Sequence, residues 1–162
     1  MVSSEVIENS LKQSTNMEVE WLILADAAQV LGGKLYMMGG GWDRLTVNQP
    51  LPIIRPAAVA VAVSVPWGQT NRRHDLRLEM ETIDGEIAAT VDANFEVGRP
   101  AGIKAGYTQR VQLALQFNFE LKAFGEFVIK ASLNGIERKR VSYSVIPGPR
   151  IYGQQQVPPK KD

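Results

Sequence analysis

Over long stretches of this chain apolar and polar residues alternate one for one. Between residues 74 and 82, Leu76, Leu78 and Met80 fall on one side and Arg77, Glu79 and Glu81 on the other. Between 86 and 97 the inner set is Ile87, Ala89, Val91, Ala93, Phe95 and Val97. Between 111 and 121 it is Val111, Leu113, Leu115, Phe117, Phe119 and Leu121. Phe127, Ile129, Ala131 and Leu133 make a further row, and Val141, Tyr143 and Val145 the last. Successive side chains of a strand point to opposite faces, so rows of this kind predict strands with one buried and one wet face. A helix would smear the same residues around its circumference. Residues 19–25, 34–38 and 42–47 read as earlier strands. The stretch 57–65 is apolar on both faces, which predicts a central strand or one whose outer face is also covered. In all there are about eight strand candidates.

Three dipeptides punctuate this pattern: Gly32-Gly33, Asp84-Gly85 and Asn134-Gly135. Tight hairpin turns need positive φ at their central positions, and Gly, Asn and Asp supply it at least cost. Half-wet antiparallel strands bury their apolar faces best by pairing two sheets. The predicted fold is therefore all-β, an antiparallel two-sheet β-sandwich, with a closed barrel as the alternative. Residues 18–146 form this body. Residues 1–17 read as an N-terminal arm, and 147–162, with four prolines and three consecutive glutamines, as an extended C-terminal tail.

Composition narrows the functional classes. A chain of 162 residues, 44% hydrophobic and 22% charged, fits one soluble domain with a real core. Eighteen basic residues against seventeen acidic leave a formal charge of +1, so nucleic acid is not expected as a partner. The absence of cysteine excludes disulfides, thiolate metal sites and cysteine nucleophiles. Residues 1–16 lack the basic start and apolar run of a secretory signal. The longest apolar run, 57–65, falls far short of the roughly 20 residues of a spanning helix. A cytoplasmic location without membrane contact is expected.

Candidate chemistry is sparse. His74 is the only histidine, so a Ser-His-Asp arrangement would have to use it, yet its neighbour Asp75 points to the opposite face of a strand. It reads as a polar residue at the start of a strand, and no catalytic residue is assigned. Asp92, Asn94 and Glu96 line one strand face, but spaced roughly 7 Å apart they cannot converge on a cation. No metal or cofactor is expected. Residues 39–43 (GGGWD) complete no phosphate-binding pattern; Trp42 either packs into the core or stacks on a ligand. The polar loop 67–74 is the candidate binding loop: Trp67, Gln69, Thr70, Asn71, Arg72, Arg73 and His74. There Arg72 and Arg73 can clamp a carboxylate or phosphate. Residues 98–106 form a second, Gly-rich loop, and the charges of 137–140 (ERKR) divide between two strand faces.

The ordered segments LADAAQ (24–29), GGKLYMMGGGWDRL (32–45), VSVPWGQTN (63–71), FEVGRPAGI (95–103) and GEFVIKASLNG (125–135) resemble an uncharacterised bacterial β-sandwich family over about residues 19–146. The resemblance implies the fold and nothing chemical, and leaves both arms uncovered. Taken together, the residues predict a non-enzymatic binding or assembly protein whose arms contact protein, either another copy or another chain. The alternative is a small-ligand or glycan-binding module using the 67–74 loop.

Overall fold

A computed structural model describes residues 16–151. It contains nine strands among the described residues: β1 (Glu18–Leu31), β2 (Lys34–Gly40), β3 (Arg44–Val47), β4 (Ile53–Val65), β5 (Arg73–Thr82), β6 (Ile87–Glu96), β7 (Gln109–Leu121), β8 (Gly125–Leu133) and β9 (Ile136–Pro147). They form a four-stranded sheet, β2-β1-β4-β7, and a five-stranded sheet, β3-β9-β8-β5-β6. Among these residues no helix is long and apolar enough to cross a membrane. The three hairpin dipeptides stand at the β1–β2, β5–β6 and β8–β9 turns, with Gly33, Gly85 and Gly135 at φ of 73°, 88° and 82°.

The sheets pack face to face through the predicted inner rows. Leu76, Leu78 and Met80 of β5, Ile129 and Ala131 of β8 and Val145 of β9 meet Val59, Val61 and Val63 of β4, all at most 1% exposed. Rows of equal apolarity on β6 and β7 are buried less. Ala89, Val91 and Ala93, like Leu113, Leu115 and Phe117, stay half-buried, and Ile87 is exposed. These two strands are the outer edges of the two sheets on the same side of the sandwich, so each has a neighbour on one flank only.

Two features depart from a simple antiparallel sandwich. Residues 44–47 pair with β9 in parallel, Arg44 opposite Ser144 and Val47 opposite Pro147, because the chain leaves the four-stranded sheet after Gly41 and crosses to the other one. The β1–β2 hairpin also does not stay in the plane of its sheet. Ala25 is the last β1 residue paired with β4, opposite Ala58. Beyond it, the Gln116 side-chain amide donates to Ala28 O (2.9 Å) and that of Gln112 to Gly33 O (2.8 Å). Gln116 and Gln112 lie opposite Ala58 and Ala62 of β4, so the hairpin doubles back as a flap over the outer face. Between hairpin and sheet lies a cluster of Ala25, Ala28, Ala58 and Ala60, with Trp21, Leu35 and Met37 packed around it. Only small side chains let a third layer approach so closely. This is why 57–65 is apolar on both faces: odd-numbered residues face the core and even-numbered ones the flap. At the base of the flap, Gly39 has φ +58° and lies against the Asp26 side chain, where a Cβ would collide.

The body extends further than the sequence reading placed it. Met17, assigned to the arm, is buried in the core at 6% exposure. Residues 147–151, assigned to the tail, continue β9 and then turn inward, with Gly148 N–H donating to Val47 O (2.7 Å) and Ile151 buried. The remainder of both arms, 1–15 and 152–162, lies outside the described residues.

Candidate functional site

The polar loop 67–74 joins β4 to β5; Thr70 and His74 are buried, Trp67 and Gln69 half-buried, and Asn71, Arg72 and Arg73 exposed. Trp67–Gln69 is a single 3-10 turn closed by Thr70, whose hydroxyl donates to Trp67 O at 2.7 Å. Arg99, from the loop after β6, lies with its guanidinium carbon 3.9 Å from the centroid of the Trp67 ring. Its Nε donates to Thr70 Oγ1 (2.8 Å) and its Nη2 to Trp67 O (3.0 Å). Asn71, at φ 58°, sends its N–H to Val97 O at 2.8 Å. The one aromatic ring of the candidate binding loop is thus covered by this chain's own arginine. Arg99→Ala is expected to lower stability by roughly 1–2 kcal/mol, from an exposed cation–π contact and two hydrogen bonds. A urea titration would measure the loss, and Arg99→Lys should recover little of it, because an ammonium lacks the planar fork.

His74 is 1% exposed. Its Nε2 lies 2.7 Å from Gln69 O and its Nδ1 3.0 Å from Asn134 Nδ2. Asn134 is fixed in turn: its Oδ1 accepts from Asp75 N–H and its own N–H donates to Asp75 O, both at 2.9 Å. Phe95 packs beside the imidazole, ring centroids 5.5 Å apart. Asp75 is exposed on the opposite face, as the strand geometry requires, so no carboxylate orients the ring for proton transfer. Arg72 and Arg73 are exposed, and Arg73 stands opposite Glu96 in the β5–β6 register.

Trp42 packs against the core rather than standing open. It meets the Tyr143 ring edge-on, centroids 6.1 Å apart at 81°, and its indole Nε1 is buried without a hydrogen-bond partner. Tyr143 stacks on Phe127 at 5.4 Å, and burial pushes its hydroxyl up to about 12, too high for a base near neutrality.

The outer face of the five-stranded sheet is a lattice of charge pairs. Arg77 holds Asp92 through two bonds of 2.7 and 3.1 Å, and that hydrogen bonding keeps the Asp92 carboxyl below its usual range. Arg140 holds Glu137 at 2.6 and 2.8 Å. Lys130 covers Glu81 with an ion pair of 2.5 Å, leaving that carboxylate nearly buried on a face expected to be wet. A shallow groove of about 570 Å³ runs over Asp75, Arg77, Glu79, Asp92, Asn94 and Ser132. Among the described residues no group of three or more carboxylate or histidine side chains could hold a metal ion. As expected, the ERKR charges divide: Lys139 reaches Glu20 O (3.3 Å) while Arg140 stays with Glu137.

The outside of the flap has the opposite character. Leu31, Tyr36 and Met38 share its outward face and are 55%, 56% and 73% exposed. The sequence reading missed this surface. Its signal was that residues 35–38 (LYMM) are apolar on both strand faces, whereas the flap floor takes up only Leu35 and Met37.

A search of the curated proteins finds no relative of this chain. Solved structures with similar folds include the CARDB domain of a Pyrococcus furiosus protein in complex with di-metal ions, with 14% identity and a TM-score of 0.40 over 82% of this chain and 94% of that one. The C-terminal domain of wzt shows 11% identity and a TM-score of 0.46 over 82% and 74% of the two chains. A β-glucosidase from Listeria innocua in complex with glucose shows 6% identity and a TM-score of 0.39 over 81% of this chain and 16% of the enzyme. Likeness at this level carries nothing about ligand or activity. The profile of a family of unknown function, DUF6941, matches residues 20–146.

Proposed function

We propose that this chain, which belongs to the DUF6941 family of unknown function, is a non-enzymatic binding or assembly protein that docks on a second copy of itself through the outward face of the β1–β2 flap. The observation that carries the proposal is the contrast between the two outer surfaces. The five-stranded sheet pairs its own charges and needs no partner. The flap sets three large apolar side chains side by side in water, on a strand whose far edge pairs with nothing among the described strands. A two-fold axis at such an edge brings Tyr36 and Met38 against their own equivalents, a self-complementary arrangement. A small-ligand role for the 67–74 loop has less support, because Arg99 covers Trp67 and His74 is buried.

The test uses the full chain with Tyr36→Glu and Met38→Glu together. Because both side chains are exposed, the melting temperature should hardly change. Sedimentation equilibrium should show self-association weakened at least about tenfold, or about 1.4 kcal/mol. A wild-type chain that stays monomeric at high micromolar concentration, or a double variant that associates equally well, overturns the proposal.

A further inference from the structure

We infer that the cleft beside the first residues of β4 is a binding site for a carboxylate, which Arg55 holds. β4 begins at Ile53, but β1 pairs with it only as far as Ala58, opposite Ala25, before leaving to form the flap. Residues 53–57 therefore keep β7 on one flank and have no strand on the other. Pro56 suits such a flank, because a proline has no N–H to offer a neighbouring strand. A cleft of about 400 Å³ lies between this part of β4 and residues 46–49, the end of β3 and the turn after it.

Arg55 belongs to the core-facing row of its strand. Ile53 before it packs against the core and Ala57 after it is part of the core, so the arginine leaves the strand on that same face. It is half-buried and lines the cleft. Among the described residues no carboxylate or carbonyl takes its guanidinium. Elsewhere the chain treats its arginines differently: Arg77 and Arg140 each grip a carboxylate through two bonds, and Arg110 pairs with Glu20. The acid nearest in register, Glu120, stands opposite Ile54 on the other face of the sheet and pairs with Lys122 at 3.8 Å.

The lining selects the ligand. A free guanidinium presents a planar fork of donors that fits one carboxylate through two parallel bonds. Around it stand the neutral carboxamides of Asn48 and Gln49 and the apolar Ile53, with no second cation to balance a phosphate. Asn48 is held in place: its side chain lies against Gly148, where a Cβ would collide, and Gly148 N–H is bonded to Val47 O. Two sources offer this chemistry. One is a free small acid, and the other is the C-terminal carboxylate of a peptide, whose last amide group the two carboxamides can also bond. The cleft is separate from the 67–74 loop, which follows the far end of β4, and from the outward face of the flap.

Titration of the isotope-labelled full chain at matched ionic strength, followed by amide chemical shifts, tests this. Butyrate should move the signals of residues 46–49 and 53–55 saturably, with a Kd on the order of millimolar. Butyramide, of the same size and uncharged, should not. The peptide acetyl-Ala-Val-Leu, with its C-terminus free or amidated, makes the second pair. Free peptide bound at least about tenfold tighter than butyrate assigns the carboxylate to a peptide end, and comparable affinity assigns it to a small acid. Arg55→Gln should weaken either acid at least about tenfold with the melting temperature nearly unchanged, and Arg55→Lys should recover little, because an ammonium lacks the fork. No saturable shift with either acid up to about 50 mM, shifts that the uncharged analogues match, or binding unchanged in Arg55→Gln overturns the inference. The comparison of acid with amide uses the wild-type chain, so it decides the matter even if Arg55→Gln does not fold.

Discussion

Val61→Asp is expected to leave the full chain unfolded at 25 °C. Val61 is 0% exposed, lies opposite Leu22 of β1 and Leu113 of β7, and points at the five-stranded sheet in the middle of the core. The substitution removes roughly 1.5–3 kcal/mol of burial and adds a carboxylate with no partner, which costs several kcal/mol more. Set against the about 5–15 kcal/mol that holds a domain of this kind together, the sum removes most or all of the stability. Far-UV circular dichroism without a strand spectrum, and no cooperative thermal transition, would be the result. A variant that melts like the wild type would mean that the odd-numbered face of β4 does not look into the core between the two sheets.

The second large effect belongs to the flap. Ala60 is fully buried on the other side of the same strand, opposite Ile23 and Ala114, and its methyl group is part of the floor on which the hairpin lies. Ala60→Phe cannot be accommodated without lifting the hairpin, at about 1–3 kcal/mol for overpacking a closed site. The expected signature is local. Exchange protection of residues 26–38 should drop while β5 and β8 remain protected. Unaltered protection throughout would show that the hairpin is not seated on this face.

Set against these positions, the sequence spoke clearly where one residue's environment depends on its near neighbours. Alternation exposed the rows of β5, β8 and β9, since a period of two has no other simple reading. Glycines able to take positive φ marked the turns at 33, 85 and 135. It was silent where the outcome depends on residues far apart. The row on β7 is as apolar as that on β8, yet Phe117 is half-buried and Ile129 wholly so, because only the order of strands decides which row lies at an edge. The alanines at 58 and 60 hinted that something covers them without saying that it is residues 26–38. The loop shows the same limit. A polar stretch with Trp67, Thr70 and His74 looks alike whether those groups await a ligand or satisfy one another. Only the arrival of Arg99, from 32 residues on, and of Asn134, from 60, distinguishes the two.

The parallel pairing of β3 with β9 bears on how the protein is made. Among the described residues the only strand partner of Arg44–Val47 is the segment from Ser144 to Pro147, which leaves the ribosome about a hundred residues after it. The pairings of β1 with β2 and β4 are available well before then. Throughout that interval Leu45 and Val47, both core residues once folded, have no strand to lie against. Synthesis therefore carries a nascent chain with one finished flap and one waiting strand, and the five-stranded sheet closes only once β9 has emerged.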